Sequence, residues 1–467
     1  MAFSWHWALI FLAGAIPLML SSAATTAVLV ACSVWALIGP GHAVRALAVS
    51  AIVAFANPAL VQSAPQAGIL FRLTMLCAVI GVLPRIKAKD LEAIWPIWAF
   101  SLVAALTSAV VSPALEVSMM KVVTFAVAAS TGIVAFRHMR APLLAKTEAW
   151  FITFGIVVIG LSGAALLKPK AAFLLNGVGL QGLFAHPQWL GTFTAPFAAW
   201  FLASLLLTRG RPTITHSVVT IGVWAVMFLT QARTAAIAAT LGVIVAIATR
   251  MLASRQRSQA TFAKIAALLI LGLATLVTAE LATGKISKAV VAFAIKRGHT
   301  ESIGRAFYES RGGGALRQWQ NFVHKPLTGN GFGVYADGRF PHGVTEWEGI
   351  PISAPVEKGF VPTAVLEETG FFGALLFAVM MIVIGKRVWR NRDLRWIALF
   401  VACLGVNLGE AVILSPGGVN GAILWLLIGL AVAPARQPKQ ARAIPAADPP
   451  SVSEPAAGTD RSPAIPA

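Results

Sequence analysis

Charge is scarce in this chain. Only 12% of its 467 residues are Asp, Glu, Lys or Arg, against roughly 25% in a soluble domain, and that shortage excludes an ordinary water-soluble globular fold. Cysteine is scarcer still. Cys32, Cys77 and Cys403 form an odd set, each inside an apolar run and without metal-ligand or redox spacing, so neither a disulfide nor a cysteine-held metal is expected. No convincing internal repeat is present, which speaks against a carrier built from inverted halves. The first apolar run, "WHWALIFLAGAIPLML", lacks the basic segment that precedes a secretory signal core and is followed directly by another run. It is therefore expected to remain as a helix.

Hydrocarbon takes the place of charge. Apolar residues make up 57% of the sequence and mean hydropathy is +0.78. Stretches of roughly 17 to 22 apolar residues, the length that crosses a hydrocarbon core of about 30 Å, recur along almost the whole chain. They fall near 5–20, 23–39, 46–62, 67–83, 91–112, 119–137, 148–167, 190–208, 215–230, 233–249, 262–282, 361–385, 396–412 and 418–433. The expected fold is all-α: a polytopic transmembrane bundle of about 12 to 14 helices with one large periplasmic loop. Residues 1–282 and 361–433 would be transmembrane, 283–360 would form the loop, and 434–467, rich in Pro, Ala and Ser, would be a disordered cytoplasmic tail.

Lys and Arg gather in alternate loops: Arg45; Arg85 and Lys87; Arg137 and Arg140; Arg209 and Arg211; Arg250 and Arg255; Lys386 to Arg392. Under the positive-inside rule these loops and both termini are cytoplasmic and the 283–360 loop faces outward. The net charge of +19 is then topology signal and attraction to membrane lipids, and no nucleic-acid partner is expected.

Long structured loops usually carry function, and the 283–360 stretch opens with "KISKAVVAFAIKRG", which suggests a helix lying in the membrane interface. Four places could carry chemistry. Arg233, in "FLTQARTAAIAA", sits at a membrane edge, where it either serves a ligand or sets helix depth by snorkelling. Arg311, Arg317, His324 and Lys325 crowd the next segment. Guanidinium forks match phosphate oxygens, so this cluster suits an anionic, diphosphate-like substrate, although a solvated basic face is the plainer alternative. The glycines of "GNGFG" lack the Lys-Ser/Thr of a P-loop and fit a tight turn or a close approach better. His342 and Glu357, in "FPHGVTEWEGIPISAPVEKGF" beside Lys358, are the candidate general bases for activating a hydroxyl. His186, in "GLFAHPQWLGTF", stands at a helix entrance, as a substrate contact or an ordinary cap.

Taken in order, "GLFAHPQWLGTF", "LTQARTAAIAAT", "RQWQNFVHKPLTGNGFGVY" and "AVLEETGFFGALLF" resemble the O-antigen ligase and O-antigen polymerase superfamily of bacterial envelope membrane proteins. The likeness spans roughly residues 150–385, and Trp319 to Gly333 followed by Leu366 to Gly373 is its most specific part. The resemblance implies an inner-membrane glycosyltransferase acting on the periplasmic face, with a polyprenyl-diphosphate-linked glycan as donor, a glycan or lipid A core as acceptor, and no metal, cofactor or nucleotide sugar. It places the diphosphate-binding arginines on Arg233 and Arg317, with Arg311 as the near alternative. Family members commonly carry a His-Asn pair upstream of the E-x-G-x-x-G glutamate; here the histidine position falls on Gly359. His342 or Glu357 then takes its role, or the role is not needed, and the departure tilts the expectation from ligase towards polymerase. A transporter or flippase for lipid-linked sugars is the alternative from another class.

Overall fold

The computed structural model describes residues 4–173, 177–207, 212–253, 312–356 and 358–433. Among these, seven helices are long and apolar enough to cross a membrane. They are α4 (Ala67–Val82), continued by a short 3-10 turn to Arg85, α5 (Ala88–Val111), α6 (Leu115–Arg137), α7 (Ala141–Ala164), α8 (Pro187–Leu207), α10 (Arg233–Ala253) and α12 (Val361–Arg390). Shorter apolar helices among the described residues join them: α1 (Trp5–Leu20), α2 (Ser22–Leu37), α3 (Pro40–Ala54), α9 (Ile214–Leu229), α13 (Leu394–Gly405) and α14 (Val419–Val432). One amphipathic helix, α11 (Gly313–His324), and a hairpin of β1 (Thr345–Trp347) and β2 (Ile350–Ser353) lie between α10 and α12. The chain is a helical membrane protein.

Local chemistry sets the helix ends. Ser21 caps α2 by accepting from Ala23 N and Ala24 N, Thr213 caps α9 by accepting from His216 N, and Asp393 caps α13 by accepting from Arg395 N at 3.0 Å. Each satisfies amide donors that a helix start leaves open. Two ends differ from the sequence reading. The span expected at 46–62 is the helix Pro40–Ala54, because Asn57 leaves the helical path and its Nδ2 donates to Ala171 O and Gly182 O at 3.0 and 2.9 Å. The span expected at 396–412 stops as an α-helix at Gly405. There Asn407 reaches back to Cys403 O and accepts from Ile413 N, folding 406–418 into short turns. The 262–282 span, the interfacial segment near 285–297 and the 434–467 tail lie outside the described residues.

The packing inverts the rule for soluble proteins, because lipid is as apolar as the core and small residues at close crossings supply much of the association. All of α14 is buried, and its Gly429 lies so near α6 that a Cβ there would stand 2.1 Å from Gly132 O. Large apolar side chains instead face outward on α5, α9 and α12, including Leu102, Val110, Ile221, Phe371, Phe372 and Leu375. Lipid would cover this outer surface.

The two ends of the bundle differ. At one end Asp90 accepts from Lys87 N, joins Arg137 Nε at 3.1 Å and lies 2.8 Å from His138 Nε2, tying α5 to α6. Nearby, Arg387 donates to Glu92 O, and Asn391 Nδ2 donates to Ala431 O and Ala433 O. The opposite end holds the candidate site.

Candidate functional site

The site is built on a broken helix. Within α12, Gly370 adopts φ 65°, ψ −168°, so the turn that would pair Phe371 N with Glu367 O does not close. Glu367 is buried, backbone polar groups within a membrane bundle need partners, and a second segment supplies them. Asn330 N donates to Glu367 O at 2.8 Å, Gly331 N donates to Glu368 O at 3.0 Å, and Phe371 N donates to Pro326 O at 2.8 Å. The 326–331 segment, which runs into the "GNGFG" turn, therefore supplies partners at the gap in α12. Two glycines make the approach feasible. A Cβ on Gly370 would stand 2.2 Å from Leu327 O, and one on Gly329, at φ 67°, would stand 2.6 Å from the Glu368 carbonyl carbon; both positions also need a left-handed backbone. Phe332 anchors the turn in an aromatic cluster with Phe100 and Phe125, its ring centroid 5.9 and 5.8 Å from theirs, while its N–H donates to Ser108 Oγ.

Four ionisable side chains collect beside this clasp. Lys358 Nζ lies 2.8 Å from Glu367 Oε2 and 3.1 Å from Glu368 Oε1, with all three residues at most 5% exposed. The other carboxylate oxygens accept from Asn321 Nδ2 at 2.6 Å on Glu367 and from Gly333 N at 2.9 Å on Glu368. Lys121, from α6, donates to Gly333 O. Burial pulls the Lys358 pKa down, but the attraction of Glu368 and Glu367 outweighs it and leaves the ammonium above its ordinary range. The Lys358 contacts are ion pairs without hydrogen-bond alignment: neither Nζ nor Glu367 Oε2 has a well-directed partner. Two lysines and two carboxylates balance formally, which is how a buried charge cluster avoids the full cost of desolvation. Lys121, Gly333, Lys358, Glu368, Leu414 and Ser415 line a small cleft over the cluster.

Other helix ends converge here. Ala411 N donates to Lys358 O at 2.9 Å, and the neighbouring Gly409 lies where a Cβ would meet Thr234 Oγ1 at 2.2 Å. The segment 409–411 thus joins Lys358 to the first turn of α10. Arg233 opens that turn; it is half-buried and its Nε is enclosed without a hydrogen-bond partner. Gly191 of α8 presses against Ala232, which brings the α8 entrance to the same corner. There His186 Nδ1 accepts from Gln188 N at 3.1 Å.

The remaining sequence candidates are more scattered. Arg317 is exposed on α11, Lys325 is exposed just beyond it, and His342 is exposed in the loop before the hairpin. Arg311 and Glu357 lie outside the described residues. Lys121, Glu367 and Glu368 were given no role by the sequence reading, although each is an ionisable residue inside an otherwise apolar run, which is the signal that could have found them.

Fold and site together define a polytopic helical membrane protein with a buried lysine-carboxylate cluster at a helix break. No family model matches the chain, and the curated proteins contain no match to it.

Proposed function

We propose that this chain is an inner-membrane enzyme of the O-antigen ligase and polymerase kind, transferring glycan from a polyprenyl-diphosphate carrier to a sugar hydroxyl. The observation that carries this reading is the clasp itself. The two segments most specific to the resemblance, Trp319–Gly333 and Leu366–Gly373, form one hydrogen-bonded unit around buried charges and a cleft. In the reaction, the acceptor oxygen attacks the anomeric carbon as the bond from that carbon to the diphosphate oxygen breaks. The bonding electron pair leaves with the diphosphate. Arg233, with its unpartnered Nε, and Arg317, exposed on α11, neutralise the charge that grows there, with Arg311 and Lys325 assisting and His186 contacting substrate. The acceptor proton passes to His342 or Glu357, and the reaction requires no metal or cofactor. Glycan polymerisation is favoured over ligation to lipid A core, because Gly359 replaces the family histidine.

One observation favours transfer over carriage of a lipid-linked sugar. Carriers place their broken helices near the membrane midplane, whereas α12 beyond Gly370 runs apolar from Phe371 to Gly385 before Lys386 and Arg387, about 15 residues or roughly 22 Å, which is most of a hydrocarbon core. That length supports a break nearer a membrane edge than the midplane, where a transferase would meet a water-borne sugar chain. The outward loop would be periplasmic and both termini cytoplasmic.

The test is a strain lacking this gene, complemented with wild type or Arg317→Ala, with envelope and secreted glycans separated by size. Single repeat units in the null and in Arg317→Ala support a polymerase; full-length glycan stranded on its carrier supports a ligase. Normal glycans in both strains, with no second gene compensating, overturn the proposal.

A further inference from the structure

We infer that α11 is an interfacial helix whose outer flank is embedded in lipid, with Arg317 and His324 held at the level of the lipid phosphates. The inference stands independently of glycosyl transfer. At 100° per residue, the twelve residues of α11 divide into three faces. Gln318 and Asn321 face the protein: Gln318 Oε1 accepts from Thr363 Oγ1, and Asn321 Nδ2 donates to Glu367. Leu316, Trp319 and Val323 form a second face and are 43, 47 and 56% exposed. Arg317, Gln320 and His324 form a third, also exposed. A helix on a water-covered surface has one exposed face, and that face is polar. Here two exposed faces of opposite character run side by side, as expected for a helix lying in a membrane interface.

Continuity identifies what covers the apolar face. Leu327, 60% exposed, follows α11 directly, and its carbonyl abuts Gly370. Phe371, Phe372 and Leu375 come next on α12, each more than half exposed on a helix of membrane-spanning length. The apolar flank of α11 thus prolongs the lipid-facing surface of α12 around the corner made by the helix break. Hydrocarbon that covers one covers the other. The ring of Trp319 packs on Phe322, centroids 5.4 Å apart, at the depth where tryptophan is enriched. Basic side chains on the adjoining face then point into the headgroup layer, where anionic phosphates lie.

The experiment uses the full chain in vesicles of phosphatidylethanolamine and phosphatidylglycerol, with the native cysteines replaced and single spin-labelled cysteines at positions 316, 323, 317 and 320. Power saturation compares collision with oxygen, which concentrates in hydrocarbon, and with a water-soluble nickel chelate. The expected result is oxygen access with loss of nickel access at 316 and 323, and the reverse at 317 and 320. Nickel access at all four positions means that α11 stands in water and overturns the inference. Protection of 316 and 323 from both reagents means that another protein segment covers the face, and overturns it equally. Should the cysteine-free parent fail to insert, wild type and Trp319→Phe are compared in vesicles of brominated lipid. A drop in the quenched fraction of tryptophan emission in the variant supports the inference, and an unchanged fraction rejects it.

Discussion

The carboxylates at the two ends of the bundle are held in different ways. Asp90 receives a backbone N–H and Arg137 Nε, lies against His138, and its arginine partner is about one quarter exposed. Asp90 is itself only 1% exposed, but its contacts are directed hydrogen bonds and Arg137 reaches solvent. Glu367 and Glu368 are enclosed with Lys358, whose ammonium touches both but is aligned with neither. The first arrangement fastens α5 to α6, while the second holds a helix break together beneath a cleft. A buried group with unused hydrogen-bonding capacity is more informative about function than a well-satisfied one.

The contrast can be tested by removing one partner at each end. Lys358→Met, which strands two buried carboxylates, is expected to cost about 3 to 5 kcal/mol, seen as a large drop in the thermal midpoint of the detergent-solubilised protein. The same pair has a pH signature. Because the Lys358 pKa is raised in the folded protein, its stabilisation is complete below the ordinary lysine value and fades as pH climbs through the raised one. The midpoint gap between wild type and Lys358→Met should therefore be constant from neutral to mildly alkaline pH and shrink only above the ordinary lysine range. A gap that closes below it would show that Lys358 is not the charged partner.

Gly370→Ala ranks next. It forces a left-handed backbone, worth about 1 to 3 kcal/mol, and adds a clash with Leu327 O; increased proteolysis of the 326–333 turn is the readout. Asp90→Asn should be milder, about 1 to 2 kcal/mol by the same midpoint measurement, since an amide oxygen can still accept from Lys87 N and Arg137 reaches solvent. The smallest effect belongs to the exposed Asp337–Arg339 pair. Removing Asp337 should leave the midpoint unchanged, because ion pairs in water contribute little. An Asp90 variant as damaged as Lys358→Met would erase the distinction between the ends.

Much of the bundle was legible in the sequence, because membrane thickness imposes run lengths that a hydropathy reading detects directly. The helices over 5–20, 67–82 and 233–253 fall where the apolar runs do. The break in α12 was not legible as a break. Gly370 lies in an apolar run that continues on both sides, and one glycine in such a run is compatible with an unbroken helix. What opens the helix is the turn at 330–331, distant in sequence. The lysine-carboxylate cluster escaped for the same reason: Lys121 and Gly333 are 212 residues apart, and no local pattern announces that they meet. Arg233 stands out in the sequence because its signal is local, a charge at the edge of an apolar run.

The clasp at Gly370 also bears on how the protein is assembled. Residues 330–331 leave the ribosome before α12 does, but they can pair with its carbonyls only once that helix has been made and released from the insertion machinery. Until the turn docks, an intact helix through Gly370 is the lower-energy path, because it satisfies its own backbone. The break is therefore a product of docking, and the corner carrying the buried charges is completed after α12 has entered the membrane. Maturation of this corner should lag behind insertion, so a chain can be fully integrated into the bilayer and still lack its finished site.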